Sequence, residues 1–150
     1  MKISDFLTPA HVLLDIRASD KTRLLHQLST QAAVEAGLDA GDVSAQIAKR
    51  EELGSTGVGN GVALPHARLK ELKSPFALLA RLHHGIDFVA IDDRLVDIVF
   101  LLLLPDAPKE AQLNTLACAA RALRGPVLER VRGANDREAI FRAVTGGSPD

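Results

Sequence analysis

The segment of this chain with the most chemical content runs from Arg50 to Arg68, Arg-Glu-Glu-Leu-Gly-Ser-Thr-Gly-Val-Gly-Asn-Gly-Val-Ala-Leu-Pro-His-Ala-Arg. Gly54 to Gly61 holds four glycines in eight residues. Without a Cβ, such a loop can bring backbone N–H groups close to an anion. Two phosphate-binding patterns can be tested against it. Gly54 and Gly59 have the first spacing of a nucleotide P-loop, but Asn60-Gly61 stand where Lys and Ser or Thr are needed. Gly57 and Gly59 begin a dinucleotide fingerprint, but Val62 replaces its third glycine. Both fail at the residue that does the work, which argues against a nucleotide site.

His66 follows this loop, after the short apolar stretch Val62-Ala63-Leu64 and Pro65. The proline restricts the backbone where the chain is expected to leave a sheet. Neutral imidazole is abundant near neutral pH and is a good nucleophile. A hydrogen bond on one ring nitrogen aims the other outward. Arg50 and Arg68 can offset the charge of about −2 that a phosphoryl group brings. The residues alone leave open a second reading, a turn histidine behind a structural glycine loop.

These residues need a scaffold. His11 to Ile16 reads as a strand. Ser19 is placed to cap a helix to about Ala36, with Leu24, Leu28 and Ala32 on its buried face and Gly37 as its stop. A second helix is expected from near Asp42 to Leu53. Strands follow near Pro75 to Leu82 and Val96 to Leu104. The last is apolar at every position from Ile98, so it reads as a central strand buried on both faces. A helix from near Pro108 presents Leu113, Leu116, Ala117, Ala120 and Leu123 on one face. Gly125-Pro126 breaks it, a short helix spans Val127 to Arg132, and Asn135 and Glu138 fit a capping box before a last helix. Gly146 to Pro149 reads as a frayed tail. The mixture predicts one α/β domain over residues 1–150, a sheet with helices packed on it.

Composition narrows the function. The 150 residues are 47% hydrophobic, enough for a sizeable core. A net charge of −1, and five Phe with no Tyr or Trp, fit neither the basic footprint nor the stacking platforms of a nucleic-acid binder. A single cysteine, Cys118, makes no internal disulfide and suits a reducing compartment. No leader is apparent, and the longest apolar run, Ile98 to Leu104, is far short of a membrane span. The expectation is a soluble cytoplasmic protein without membrane insertion.

The string Leu-Gly-Ser-Thr-Gly-Val-Gly-Asn-Gly-Val-Ala-Leu-Pro-His-Ala resembles the active-site segment of type-2 (fructose/mannitol class) enzyme IIA domains of the bacterial phosphotransferase system. Its form is most similar to the nitrogen-regulatory branch, and the resemblance extends over nearly the whole chain. It implies a mixed central sheet flanked by helices. It also implies that His66 accepts a phosphoryl group from an HPr-like phosphocarrier protein, with no cofactor. Arg50 matches an arginine near that histidine, and Thr56 and Asn60 occupy loop positions suited to support the phosphoryl group. In the nitrogen-regulatory branch, phosphorylation controls binding to regulatory target proteins. In sugar-transport members the phosphoryl group passes to an enzyme IIB domain. A third reading, from another class, is a binding regulator that is never phosphorylated. The chain departs from the family where members carry a second histidine, in a His-Leu-x-x-Leu context. Here the text is Gln112-Leu113-Asn114-Thr115-Leu116. The amide can hydrogen-bond but cannot become cationic.

The remaining residues suggest less. His83 and His84 are adjacent on a strand, should point to opposite faces, and lack further ligands, so no metal site is expected. His11 and His26 read as fold residues, and Cys118 as buried filler. Asp87, Asp92, Asp93 and Asp97 read as a solvated loop and strand start rather than a catalytic dyad.

Overall fold

The computed structural model describes residues 1–146. Six strands form one mixed sheet, and five helices flank it. The strands are β1 (Val12–Ile16), β2 (Gly57–Gly59), β3 (Val62–Ala63), β4 (His66–Arg68), β5 (Phe76–Ile86) and β6 (Val96–Leu104). The helices are α1 (Lys21–Ala36), α2 (Ala40–Glu52), α3 (Lys109–Ala122), α4 (Pro126–Gly133) and α5 (Arg137–Thr145). The main strand order is β1-β5-β6-β3-β2, and β4 also pairs with β6. β5 and β6 are antiparallel, whereas β1 runs parallel to β5 and both β3 and β4 run parallel to β6.

β6 is the centre of the molecule. Ile98, Phe100, Leu102 and Leu104 join the core beneath α3, α4 and α5, while Val99, Leu101 and Leu103 join the core beneath α1 and α2. An uninterrupted apolar run is what a strand covered on both faces requires. The alternating side chains of β6 thus anchor both layers.

Several local details differ from the sequence reading. The cap of α1 is Asp20, not Ser19: its carboxylate accepts the N–H of Arg23 at 2.8 Å. The cap of α5 is Asp136, not Asn135, accepting from Ala139 N–H at 2.8 Å. In each case a charged acceptor meets the positive end of the helix. α3 buries Thr115, Cys118 and Ala119; of the expected stripe, Leu123 is buried and Leu116 and Ala120 pack against the core, whereas Leu113 is 52% exposed. His83 and His84 do not diverge. A register shift between Arg81 and Ile86 breaks the alternation, and their exposed rings meet edge-on at 4.4 Å. Of the expected tail, Gly147 to Pro149 lies outside the described residues.

The glycine segment is more ordered than expected. Gly57–Gly59 and Val62–Ala63 form a hairpin around Asn60 and Gly61, whose φ angles are 58° and 80°. An Asn-Gly pair between two strand residues is a strong signal for such a two-residue turn. A Cβ at Gly61 would also lie 2.5 Å from the Arg132 guanidinium and 2.8 Å from the Asp97 carboxylate.

Candidate active site

The chain from Gly61 to Leu69 runs along β6 as one interrupted strand. Gly61 O accepts from Ile98 N, Pro65 O accepts from Leu102 N, and Leu69 N donates to Leu104 O. His66 itself pairs with Leu102. It therefore opens β4 and stays within the sheet, rather than marking the place where the chain leaves it. The interruption falls at Leu64-Pro65, between β3 and β4. Proline offers no N–H, and Leu64 N turns away to donate to Thr56 O at 2.9 Å. That leaves Leu64 O facing the imidazole, 2.9 Å from His66 Nδ1.

The other ring nitrogen meets α2. Arg50, in the last turn of that helix, points its Nε–H at His66 Nε2 across 3.3 Å. Its Nη1 donates to Gly54 O at 2.9 Å, which fixes the guanidinium against the end of the helix. A carbonyl can only accept and a guanidinium can only donate. The neutral ring must therefore carry its proton on Nδ1 and its lone pair on Nε2. Burial lowers the His66 pKa below 6.5. The Leu64 carbonyl opposes that, the Arg50 charge adds to it, and Glu51 opposes it. The neutral nucleophilic form is favoured.

His66 and Arg50 line a cavity of about 750 Å³ between α2, β4 and the start of α3. Lys49, Arg50, Arg68 and Lys109 line it together with Gln112, and no carboxylate does. Leu53 and Leu113, 84% and 52% exposed, stand at its edge. Such a surface suits an anionic group delivered by a partner that also covers apolar area.

The structure brings together four of the residues singled out from sequence, His66, Arg50, Arg68 and Gln112. The Gln112 amide donates to Ala107 O at 2.9 Å. Thr56 and Asn60 do not line the cavity. The Thr56 hydroxyl and N–H both bind the Glu51 carboxylate, at 2.6 and 2.9 Å. Asn60 sits in the hairpin turn, its N–H on Asp92 at 2.9 Å and its carbonyl on Arg132 at 2.6 Å. Those bonds give Asp92, in its loop, and Asp97, at the start of β6, structural roles. Asp92 holds Asn60, and Asp97 pairs with Arg132. Asp92 lies below the usual carboxylate value because the Asn60 and then the Arg94 N–H groups favour its charge.

Sequence reading missed Glu51, Lys49 and Lys109. The helical spacing that carries Lys49 and Arg50 to the cavity was visible, but which face of α2 meets β4 was not. Among the described residues, no group of three His, Cys, Asp or Glu side chains is placed to hold a metal.

The profile of the family described as "Phosphoenolpyruvate-dependent sugar phosphotransferase system, EIIA 2" matches residues 5–146. The chain belongs to this family. Within the type-2 enzyme IIA proteins it groups with the nitrogen-regulatory members. It is 38% identical over 145 residues to a nitrogen regulatory protein of Bradyrhizobium diazoefficiens, covering 96% of this chain and 95% of that one. The crystal structure of nitrogen regulatory protein IIA-Ntr from Neisseria meningitidis superposes with a TM-score of 0.89 at 29% identity, over 95% of this chain and 99% of the other. The Escherichia coli complex of enzyme IIAMtl with phosphorylated enzyme IIBMtl gives a TM-score of 0.76 at 18% identity, covering 93% of this chain and 97% of that one, and shares the fold. As a type-2 enzyme IIA, the chain carries a mixed sheet flanked by helices and is a phosphotransferase-system component. No helix among its described residues is long and apolar enough to cross a membrane.

The depressed pKa has a consequence for stability. An unfolded chain protonates this histidine near 6.5, while the folded site resists the proton. Below that value the unfolded state binds more protons, so stability rises with pH up to 6.5 and is lost on acidification. The wild type should therefore lose melting temperature relative to His66→Gln between about pH 7 and about pH 5. Parallel melting curves across that range would mean that His66 titrates as it does in water.

Proposed function

We propose that this enzyme IIA is a regulatory phosphocarrier in which His66 Nε2 takes a phosphoryl group from a phosphohistidine on an HPr-like protein. The observation that carries this reading is the ring itself, its Nδ1–H held by Leu64 O and its Nε2 lone pair met by Arg50, at the wall of a cavity lined by cations. In the transfer, the Arg50 Nε–H releases Nε2 and turns to a phosphoryl oxygen, and Nε2 donates its freed lone pair to phosphorus as the donor's P–N bond breaks. The departing imidazole keeps that electron pair. The phosphorylated ring becomes cationic, and the Leu64 carbonyl continues to accept its Nδ1–H. A cationic ring leaves readily, so the phosphoryl group can move on or return.

Arg50 answers the charge on the phosphoryl oxygens, and Gln112 offers a neutral amide where relatives carry a second imidazole. Thr56 and Asn60 support the group indirectly, by holding the loop and hairpin that carry Leu64. The new charge of about −2 changes how partner proteins bind over Leu53 and Leu113. The names of the nitrogen-regulatory relatives favour regulatory targets over sugar transport. The likeness to a IIA–IIB complex supports enzyme IIB as the alternative acceptor. The cytoplasm is where such carriers would meet.

The test is incubation with a phosphorylated HPr-like carrier, followed by mass measurement. A gain of one phosphoryl group is expected, together with a change in affinity for a captured regulatory partner. Rapid onward transfer to a fructose- or mannitol-class enzyme IIB would favour the transport role. No gain in mass would leave only the binding regulator.

A further inference from the structure

Arg50 and Glu51 are consecutive, yet they reach opposite sides of the site. Arg50 contacts Nε2 directly, while Glu51 connects to Nδ1 through the backbone. The Glu51 side chain is only 7% exposed, and Lys21 of α1 pairs with its Oε2 at 2.8 Å. The same carboxylate accepts the N–H and hydroxyl of Thr56. Thr56 O accepts from Leu64 N, and Leu64 O accepts from His66 Nδ1, both at 2.9 Å. The chain of contacts is continuous from α1 to the imidazole. Lys21 is itself fixed, donating to Phe88 O at 3.2 Å and lying 4.9 Å from the centre of the Phe88 ring.

A carboxylate in the last turn of a helix sits at the unfavourable end of the dipole. Removing it from water adds a further cost unless its oxygens are well supplied with donors. Glu51 has three, and two of them come from the residue that sets the position of Leu64. From this arrangement we infer that Glu51, charge-balanced by Lys21, is a positioning residue that selects the Nδ1–H tautomer of His66 by holding the Thr56–Leu64 connection. Its catalytic relevance rests on the phosphocarrier reading above, but its effect on the imidazole does not.

The charges lining the ring's cavity are Lys49 and Arg50 from α2, Arg68 from β4 and Lys109 from α3, and Glu51, paired with Lys21, acts from behind the ring. Only Glu51 is negative, and its charge favours the protonated ring. Glu51→Gln keeps the shape, removes that charge and leaves Lys21 unbalanced. It should shift the His66 midpoint further down. Lys21→Met should shift it up, because Glu51 then acts uncompensated. Shifts of a few tenths of a unit to about one unit are expected for single charges at such partly screened positions. A purely structural clamp would not produce opposite signs.

The experiment is ring ¹⁵N NMR of His66 across its titration, on unphosphorylated wild type, Glu51→Gln, Lys21→Met and Thr56→Val. The wild type should show the Nδ1–H tautomer in excess. That excess should fall in Glu51→Gln and, to a smaller degree, in Thr56→Val, which loses only the hydroxyl. Phosphoryl uptake from phosphoramidate should drop about tenfold in Glu51→Gln, as expected for a mispositioned nucleophile, while Thr56→Ser retains it. An unchanged tautomer ratio in folded Glu51→Gln would overturn the proposal. If Glu51→Gln does not fold, an unchanged ratio in Thr56→Val would do so. Tautomer shifts as stated in a wild type that takes up no phosphoryl group would uphold the positioning role and overturn the carrier reading instead.

Discussion

His66→Ala should take up no phosphoryl group from either the HPr-like carrier or phosphoramidate. In the proposed transfer the nucleophile is one lone pair on Nε2, and no other described side chain combines an imidazole with the cationic cavity. His11 is engaged with Thr8 and Glu35, His26 with Ser44, and His83 with His84 on exposed strand surface. The fold should survive. β4 is held to β6 through its backbone, and alanine keeps that pairing. The substitution frees Leu64 O beside an open cavity, where water can reach it, so the cost should be about 1 kcal/mol. In wild type the attached group should be lost in acid and survive base, as an N-linked phosphoryl does. Intact-mass measurement and circular dichroism on both proteins give the comparison. Phosphate uptake by the alanine variant, or an acid-stable label in wild type, would remove His66 from the role.

Arg50→Ala should slow phosphoryl uptake roughly 10²- to 10³-fold, the effect of deleting one preorganised donor at a site of developing charge. Two functions go with this side chain. Its guanidinium no longer meets the anionic phosphoryl group, and its bond to Gly54 O no longer steadies the start of the glycine segment. The pH profile should move as well. Arg50 helps to hold the His66 pKa down, so its loss should raise the midpoint and leave more of the ring protonated and unreactive at neutral pH. Arg50→Lys should recover part of the charge effect but not the fork that reaches both Nε2 and Gly54 O. Rates measured against pH for all three proteins separate these contributions. An alanine variant within about threefold of wild type, with the same midpoint, would show that Arg50 is not part of the transfer machinery.

Much of this site was readable along the chain because its signals are local. A glycine-rich segment, a proline and a histidine lie within a few residues, and Arg50 is one helical turn before the first of those glycines. The central role of β6 was also legible, since only a strand covered on both faces tolerates Ile98 to Leu104 in water. The helix caps were misplaced by one residue because neighbouring Ser19 and Asp20, or Asn135 and Asp136, all carry acceptable capping oxygens. Which one accepts depends on the backbone angle of entry. The stripe on α3 held only in part, with Leu116, Ala120 and Leu123 against the core and Leu113 exposed, for a related reason. Periodicity reports that a helix has a face, but the packing of its neighbours decides which face is buried.

The order of residues by itself marked His66 as the candidate nucleophile and determined the glycine hairpin and the two-sided strand, because each depends on backbone rules that act over a few positions. Tertiary structure decided which ring nitrogen carries the proton and which the lone pair. Nδ1 is occupied because β3 and β4 break at Leu64-Pro65 and leave a carbonyl free beside the ring. Nε2 carries the lone pair because α2 brings the Arg50 Nε–H to that side. It also decided that Thr56 binds Glu51 rather than the cavity, and that Lys49, Arg68 and Lys109, from three different elements, share one surface. Such convergence depends on how layers stack across a sheet, and no spacing along the chain encodes it directly.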